Sequence, residues 1–313
     1  MIIVTGGAGF IGSNIVRQLN LAGETDILVV DDLKDGHKTD NLADCDIADY
    51  IDHQDFLDSM NAGKSFGKVR AVSHQGACTT TTEWDGLYMM RTNYDYSKAV
   101  LGYCLEQSIT MIYASSASVY GAGTEFAVER RNEHPINAYA YSKWQFDQYL
   151  RRKWDDIHTQ VVGLRYFNVY GPREQHKGDM ASVIFHFNRQ LAAGDEVRLF
   201  KGSGGYGDGE QRRDFIHVDD VAAVNLWLLE RPECRGLFNL GTGKARSFND
   251  VANAVIAWHG RGHIKYIPFP ERLEGSYQSF TEADMSGLRK AGYDADFLDI
   301  EAGVQRYLDV VGR

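Results

Sequence analysis

The sequence predicts a doubly wound α/β fold, a parallel sheet covered by helices, with a second and smaller lobe. Three observations carry that reading. Met1 to Ser13 reads MIIVTGGAGFIGS, so a short apolar strand, Ile2 to Thr5, runs through Gly6, Gly9 and Gly12 into an apolar helical run. A second apolar run, Asp26 to Val30, ends in Asp31, at the separation from the glycines where a ribose-binding acid is expected. Strand-length and helix-length segments then alternate as far as Val161 to Leu164, after which the alternation becomes irregular. A strand, a tight turn and a helix N-terminus aim unpaired N–H groups and the positive end of the helix dipole at one spot. A pyrophosphate can settle there against backbone that carries no Cβ. The Gly-x-x-Gly-x-x-Gly spacing departs from the dehydrogenase Gly-x-Gly-x-x-Gly, and it is the strand before it and the acid after it that point to dinucleotide binding.

Bulk properties exclude several classes. A chain of 313 residues can bury a large core, and no apolar run approaches the ~20 residues that cross a bilayer. No charged segment with an apolar stretch precedes the first strand, so the cytoplasm is the expected compartment. A formal charge of −10 speaks against a nucleic-acid partner or an anionic membrane surface, which both call for a basic face. Cys45, Cys78, Cys104 and Cys234 lack paired spacing and histidines at ligand intervals, so neither metal nor disulfide is expected.

After the first helix, Asp26 to Asp31 is the second strand, followed by the loop Asp32 to Lys38. Asp31 favours NAD, because a carboxylate binds a ribose 2′-hydroxyl and repels a 2′-phosphate. Lys34, His37 and Lys38 either bind the phosphate of NADP or form an ordinary solvated loop, and the pattern leaves both open. A short apolar piece ending at Asp46-Ile47 is placed like a third strand. Val69 to Ser73 is a fourth, leading through His74, Gln75, Gly76, Ala77 and Cys78, a run that can pass close over a cofactor. Thr79 to Thr82 borders the crevice. Leu87 to Leu105 has helical periodicity, with Asn93 readable as an ordinary solvent-facing residue.

The next strand, Met111 to Ala114, delivers Ser115 to Gly121 at its carboxyl end, where open parallel sheets bind ligands. Pro135 and Asn137 start a helix carrying Tyr139 and Lys143 on one face and Tyr141 off it. An ammonium within a few ångströms lowers a phenol's pKa, which would make Tyr139 an acid/base near neutral pH, and Ser116 can bind the same substrate oxygen. Alone, such a pair reads equally as aromatic packing with a snorkelling lysine. A dinucleotide turn and a strand-end serine in the same sheet make it a hydride-transfer constellation. Met180 to Leu191 then reads as an amphipathic helix of the smaller lobe, and Gly202 to Gly209 as a flexible loop suited to a lid. Arg212 and Arg213 hold a diphosphate or pair with nearby carboxylates. Leu237 to Gly243 returns to the sheet, and Phe248 to Trp258, Ile264 to Ile267 and Phe297 to Val310 complete the lobe.

These residues together resemble the extended short-chain dehydrogenase/reductase enzymes that modify nucleotide sugars. TGGAGFIGS, Ser116 ahead of Tyr120-Gly121, YAYSK at 139–143, RYFNVYGPR at 165–173, RDFIHVDD at 213–220 and FNLGTG at 238–243 match in order and spacing over nearly the whole chain. HQGACTTTTEWDG, NYDYSK and YGPREQHKGDMAS are similar to the branch that epimerises ADP-heptose at carbon 6, for lipopolysaccharide core. The resemblance implies a Rossmann-type domain over 1–167, with 213–243 returning to it, and a substrate lobe over 168–212 and 244–313. It implies one tightly bound NADP per subunit, with Gly6, Gly9, Phe10, Ile11, Gly12, Asp31, Asp32, Lys38, His53, Gln75 to Thr79, Asn93, Lys143, Val169 and Lys177 lining the site. It implies that Ser116, Tyr139 and Lys177 act on the sugar, with Lys143 a fourth catalytic residue, and that Asn168, Asp179, His186, Phe200, Lys201, Gly202, Ser203, Arg213 and Tyr277 bind ADP-heptose. A homo-oligomer, a pentamer, is implied as well. Two features depart from the pattern: His53 stands where a lysine is expected, and the Gly204 to Gln211 loop is longer than in the shorter-looped members.

Overall fold

The computed structural model describes residues 1–270 and 278–312, which form two compact units. The first comprises Met1–Val119, Pro135–Arg165 and Val221–Phe238. Its centre is a seven-stranded sheet built from β1 (Ile2–Thr5), β2 (Ile27–Asp31), β3 (Asp49–Asp52), β4 (Ala71–His74), β5 (Thr110–Ser116), β6 (Val161–Tyr166) and an edge strand, Gly236–Leu240, in the order edge-β6-β5-β4-β1-β2-β3. From β5 to β3 every neighbouring pair is parallel. The strand order reverses between β1 and β4, which opens a crevice outside the carboxyl ends of those strands, the usual ligand position in such sheets.

The sheet is apolar on both faces because both are covered. Ile2, Val4, Ile27 and Val29 pack with Ile15, Val16 and Leu19 of α1 (Phe10–Leu21) on one face. Ile3, Leu28 and Val30 point the other way, into a core with Phe56 of α2 (His53–Asn61), Val100 and Leu101 of a later helix, and Phe146 and Leu150. This period-2 alternation over apolar strands is what a buried parallel sheet requires. The apolar segment Leu87 to Leu105 is three pieces: α3 (Gly86–Met89), a π-helical turn over Met90–Asp95, and α4 (Tyr96–Glu106). The wider turn puts Asn93 inward, 2% exposed, rather than facing solvent. Helix α5 (Ala138–Lys153) starts where Asn137 Oδ1 accepts the Ala140 N–H at 2.7 Å.

The second unit comprises Tyr120–His134, Tyr166–Asp220 and Asn239–Arg313. It contains β7 (Asn168–Tyr170), α6 (Val183–Ala193), β8 (Glu196–Phe200) and β9 (Arg212–His217). After α7 (Val218–Leu229) and the edge strand, now β10, come β11 (Ala245–Ser247), α8 (Phe248–His259), β12 (His263–Ile267), α9 (Ser286–Lys290) and α10 (Ile300–Val311). Strand β9 lies between β7 and β11, and β8 pairs in parallel with β12. Ile184, Phe187 and Leu191 of α6 close a core with Val251 and Val255 of α8 and Val304, Tyr307 and Leu308 of α10.

Three expected elements move. The third strand is Asp49–Asp52, not the piece ending at Asp46-Ile47, because a hydrogen-bonded partner along β2 outweighs local apolarity. Helix α6 begins at Val183, since the Ser182 hydroxyl caps it by accepting the Phe185 N–H, and Gln175–Met180 is a separate 3₁₀ turn. The segments 120–134, 166–167, 213–220 and 239–243 belong to the second unit, and 221–238 to the first.

Candidate active site

In the first unit the glycines of the opening turn are dictated by backbone crowding. Gly6 has φ +66°, and a Cβ there would sit 2.6 Å from the Gly76 nitrogen. A Cβ on Gly12 would lie 2.1 Å from the Gly6 carbonyl oxygen, so any side chain at Gly12 would push the first turn of α1 off the loop. Gly9 caps α1 with no side-chain hydrogen bond, and the first turn holds no acidic residue. The helix therefore presents uncapped N–H groups and an uncompensated dipole, which fits an anionic pyrophosphate. Phe10 is buried and Ile11 half-buried beside them. Asp31 accepts the N–H groups of Ala8 and Asp32, both at 2.7 Å, and pairs with the Lys38 ammonium at 2.6 Å. Lys38 also donates to the Asp32 carbonyl at 2.7 Å, so this lysine is bound to the acid, while the side chains of Lys34 and His37 remain 85% exposed.

Gln75 to Thr79 follows β4. The Gln75 amide donates to Ser73 Oγ at 3.1 Å and to Asn225 Oδ1 at 3.4 Å. Asn93 holds Cys78 by both backbone groups, accepting its N–H at 2.8 Å and donating to its carbonyl at 3.0 Å. His53 opens α2, its carbonyl taking the Tyr96 hydroxyl at 3.0 Å, while its Nδ1 has no hydrogen-bond partner.

Ser116 ends β5 and Tyr139 sits in the first turn of α5, with their hydroxyls hydrogen-bonded. Lys143, one turn on, is 5% exposed and donates to the Ala114 carbonyl at 2.9 Å. Burial draws its pKa down to about 8, against the opposing charge of Asp147. The expected depression of Tyr139 by Lys143 is not what the structure shows. Burial raises the phenol's pKa, the Ser116 bond opposes this, and the Cys78 thiol adds to the rise. The ammonium spends one of its three hydrogens on the Ala114 carbonyl.

Beneath these groups Asp147 is fully buried and fully used. It accepts from Tyr113 Oη at 2.8 Å, Ser115 Oγ at 2.9 Å, and Arg165 Nε and Nη2 at 3.0 and 2.8 Å. This network fixes the strand residue next to Ser116 from the same helix that carries Tyr139 and Lys143. Sequence reasoning missed it, although Asp147 stands one helical turn beyond Lys143 on the same face.

The second unit holds the remaining candidates. Asn168 is exposed and Val169 half-buried on β7. Lys177 lies in the 3₁₀ turn with Asp179, which is exposed. Burial lowers the Lys177 pKa and Glu174 opposes it. Glu174, also missed from sequence, is fully buried and accepts the Ser182 N–H and hydroxyl, both at 2.6 Å. It thereby joins the Lys177 turn to the start of α6, whose first turn carries His186. Phe200 packs on Phe269 at a ring distance of 5.6 Å, and Arg213, 6% exposed, has its guanidinium 5.8 Å from the Phe248 ring.

The glycine-rich loop is tied rather than free. Gly202 N–H donates to Asp208 Oδ1 at 2.8 Å, Gln211 to Ser203 Oγ at 3.0 Å, Gly209 N–H to the Phe200 carbonyl at 3.0 Å, and Asn249 to the Asp208 carbonyl at 2.9 Å. Lys201 stands exposed at its start. Tyr277 lies outside the described residues. Among the described residues no group of three or more His, Cys, Asp or Glu is placed to hold a metal, and no helix is long and apolar enough to cross a membrane.

A sequence model of the NAD dependent epimerase/dehydratase family matches residues 2–241, through both the glycine turn and the Tyr139/Lys143 helix. The chain belongs to that family. One family relative, the ADP-L-glycero-D-manno-heptose-6-epimerase of Alkalilimnicola ehrlichii, is 60% identical over 311 residues, 99% of this chain and 97% of its own. Among solved structures, the Helicobacter pylori ADP-L-glycero-D-manno-heptose-6-epimerase aligns with a TM-score of 0.85 at 30% identity, covering 99% of this chain and 96% of that one. The Thermus thermophilus UDP-glucose 4-epimerase, solved with NAD, aligns with a TM-score of 0.81 at 29% identity over 98% and 97% of the two chains. A nicotinamide dinucleotide is the cofactor of this family, and the backbone cradle at Gly6 to Gly12 fits one.

Proposed function

We propose that the protein inverts carbon 6 of ADP-D-glycero-β-D-manno-heptose to give the L-glycero epimer, with NADP held throughout, for lipopolysaccharide core heptose. The 60% identity to a heptose epimerase, sustained over 99% of the chain, carries this reading. The dinucleotide supplies a hydride acceptor and donor at the reacting carbon, with no net redox change. In this reading Gly6, Gly9 and Gly12 admit its pyrophosphate. Asp31, Asp32, Lys38 and His53 hold the adenosine half, and Gln75 to Thr79, Asn93 and Val169 line the rest. Lys38 would face a 2′-phosphate while neutralising the Asp31 carboxylate that would otherwise repel it.

Ser116 and Tyr139 would bind and protonate or deprotonate the 6-oxygen, with Lys143 one helical turn on as a further catalytic and cofactor-binding residue. Carbon 6 is exocyclic, so rotation about its bond to the ring presents the opposite carbonyl face while the pyranose and nucleotide stay bound. The oxygen moves with that rotation, and proton transfer reaches only ~2.6–3.2 Å or across one water. Lys177 is the proposed second acid/base, its proton affinity already lowered by burial. Asn168, Asp179, His186, Phe200 to Ser203, Arg213 and Tyr277 would hold ADP-heptose. We place the enzyme in the cytoplasm as a homo-oligomer, a pentamer.

The test is to incubate the purified holoprotein with ADP-D-glycero-heptose and with UDP-glucose and follow both by proton NMR. Interconversion of the heptose epimers with UDP-glucose untouched is the expected result. Turnover of UDP-glucose to its 4-epimer, with the heptose unchanged, would overturn it.

A further inference from the structure

A buried hydrogen-bonded chain runs beneath the dinucleotide cradle of the first unit, and its proton order can be deduced. Thr5, His74, Ser97 and Asn93 are each at most 3% exposed. Ser97 Oγ donates to the Asn93 backbone carbonyl at 2.5 Å. A carbonyl only accepts, so the single hydroxyl hydrogen of Ser97 is committed there, and its oxygen must receive from His74 Nε2 at 2.9 Å. The ring is neutral, since burial pulls its pKa down to about 3 and the charge of Lys143 on α5 acts in the same direction. On its remaining side the ring stacks on Tyr96 of α4, at a centroid distance of 5.9 Å. Nδ1 is therefore bare and takes the Thr5 hydroxyl hydrogen at 2.6 Å. Thr5 Oγ1 in turn receives the Gly76 N–H at 3.2 Å. The opposite tautomer would draw the Ser97 hydrogen away from the Asn93 carbonyl, leaving that oxygen the Tyr96 N–H alone, and would make Thr5 Oγ1 accept from both Nδ1 and the Gly76 N–H, turning its own hydrogen out of the chain.

From Asn93 the connection continues through its side chain. The amide grips Cys78 and donates to Ser142 Oγ at 3.0 Å, and Ser142 donates to the Tyr139 carbonyl at 2.7 Å. One ordered path thus links the end of β1, the loop after β4, the π-helical turn and the first turn of α5. It crosses the point where the two cofactor loops nearly touch, since a Cβ on Gly6 would meet Gly76 N at 2.6 Å.

We propose that Thr5, His74 and Ser97 are positioning residues for the dinucleotide, with a neutral Nε2–H imidazole setting the height of the Gln75 to Cys78 loop over the Gly6 turn. Through Asn93 and Ser142 the same chain registers that loop against the backbone of Tyr139. A polar chain with every donor committed has one low-energy arrangement, and that is what holds two backbone loops at a fixed separation in the absence of packing side chains. The inference rests on the cradle being the dinucleotide site.

Two measurements test it. In the ¹⁵N-histidine-labelled holoenzyme, the ring signals lost in His74→Gln should show a protonated Nε2 and bare Nδ1, unchanged between about pH 5 and pH 8. A protonated Nδ1, or titration within that range, overturns the proposal. Thr5→Val should then speed dissociation of NADP from the holoenzyme about tenfold, one buried hydrogen bond's worth, while Thr5→Ser stays near wild type. Equal rates in Thr5→Val and Thr5→Ser overturn it. A wild-type protein that retains neither NADP nor NAD would instead sink the assignment of the cradle, leaving the tautomer measurement to judge the chain.

Discussion

In the first unit the candidate site is made mostly of backbone, whereas in the second it is made of side chains carried on separate turns and strand ends. At Gly6 and Gly12 anything larger would collide with main chain, at Gly9 and Gly76 an added Cβ would be tight at 3.1 Å, and Asp31 and Asn93 spend their side chains holding backbone N–H and carbonyl groups. Asn168, Lys177, His186 and Arg213 come from four elements whose spacing along the chain follows no local rule. A backbone site is intolerant of substitution and general in what it binds. A side-chain site can be rebuilt for each sugar, which is how one fold accommodates several nucleotide sugars.

The largest effect that would sharpen this contrast comes from removing one acid/base group from each unit. Tyr139→Phe and Lys177→Met are each expected to lower epimerisation by about 10²–10⁴-fold while the dinucleotide stays bound, as read by absorbance of the released cofactor. A Lys177→Met enzyme working near wild-type rate would confine the chemistry to the first unit.

Next in size is stability. Asp147 and Glu174 are buried carboxylates, one in each unit; Asp147 is ion-paired with Arg165, and Glu174 accepts from the Ser182 N–H and hydroxyl. Asp147→Asn leaves Arg165 as an uncompensated buried charge and should cost about 3–5 kcal/mol. Glu174→Gln should cost about 1–3 kcal/mol. Urea denaturation compares them, and equal losses would mean that the two carboxylates do the same work.

The pattern of what the sequence disclosed follows the same division. The glycine turn, Asp31, and the Tyr139/Lys143 pair one helical turn apart are legible because a single strand or helix sets their spacing. His74 and Asp147 went unread as site residues because their partners are 69 residues away at Thr5 and 18 away at Arg165, brought together only by the sheet. The third strand was misplaced because Asp49–Asp52 is polar, and its pairing with β2 decides it. The loop after Ser203 looked mobile from its glycines, yet Asp208, Gln211 and Asn249 bind it down, and no local pattern announces that. Lys177 and His186 were reached only through resemblance.

A smaller effect concerns pH. The pKa of Lys143 falls from its ordinary 10.5 to about 8, so the unfolded chain keeps this proton over a range in which the folded one has lost it. Stability should therefore rise with pH between about 8 and 10.5 on account of this residue, its burial penalty being fully present below 8. Comparing wild type with Lys143→Met across that window should show the upward slope flattened in the variant. An unchanged slope would assign the proton elsewhere.

The smallest effect tests whether a side chain in the backbone-built unit decides specificity. Lys38 Nζ sits 2.6 Å from Asp31 and 2.7 Å from the Asp32 carbonyl, so the acid that would repel a 2′-phosphate is neutralised where that phosphate would lie. Removing the ammonium exposes the Asp31 charge to NADP but leaves it free to accept from the ribose hydroxyls of NAD. Lys38→Ala should weaken NADP by about ten- to a hundredfold, the worth of one charge-assisted hydrogen bond, and change NAD little. Titration of the two cofactors by isothermal calorimetry reads the ratio directly. A preference that survives Lys38→Ala would show that this basic loop does not read the 2′-phosphate, and that Lys38 serves only to hold Asp31 against Ala8.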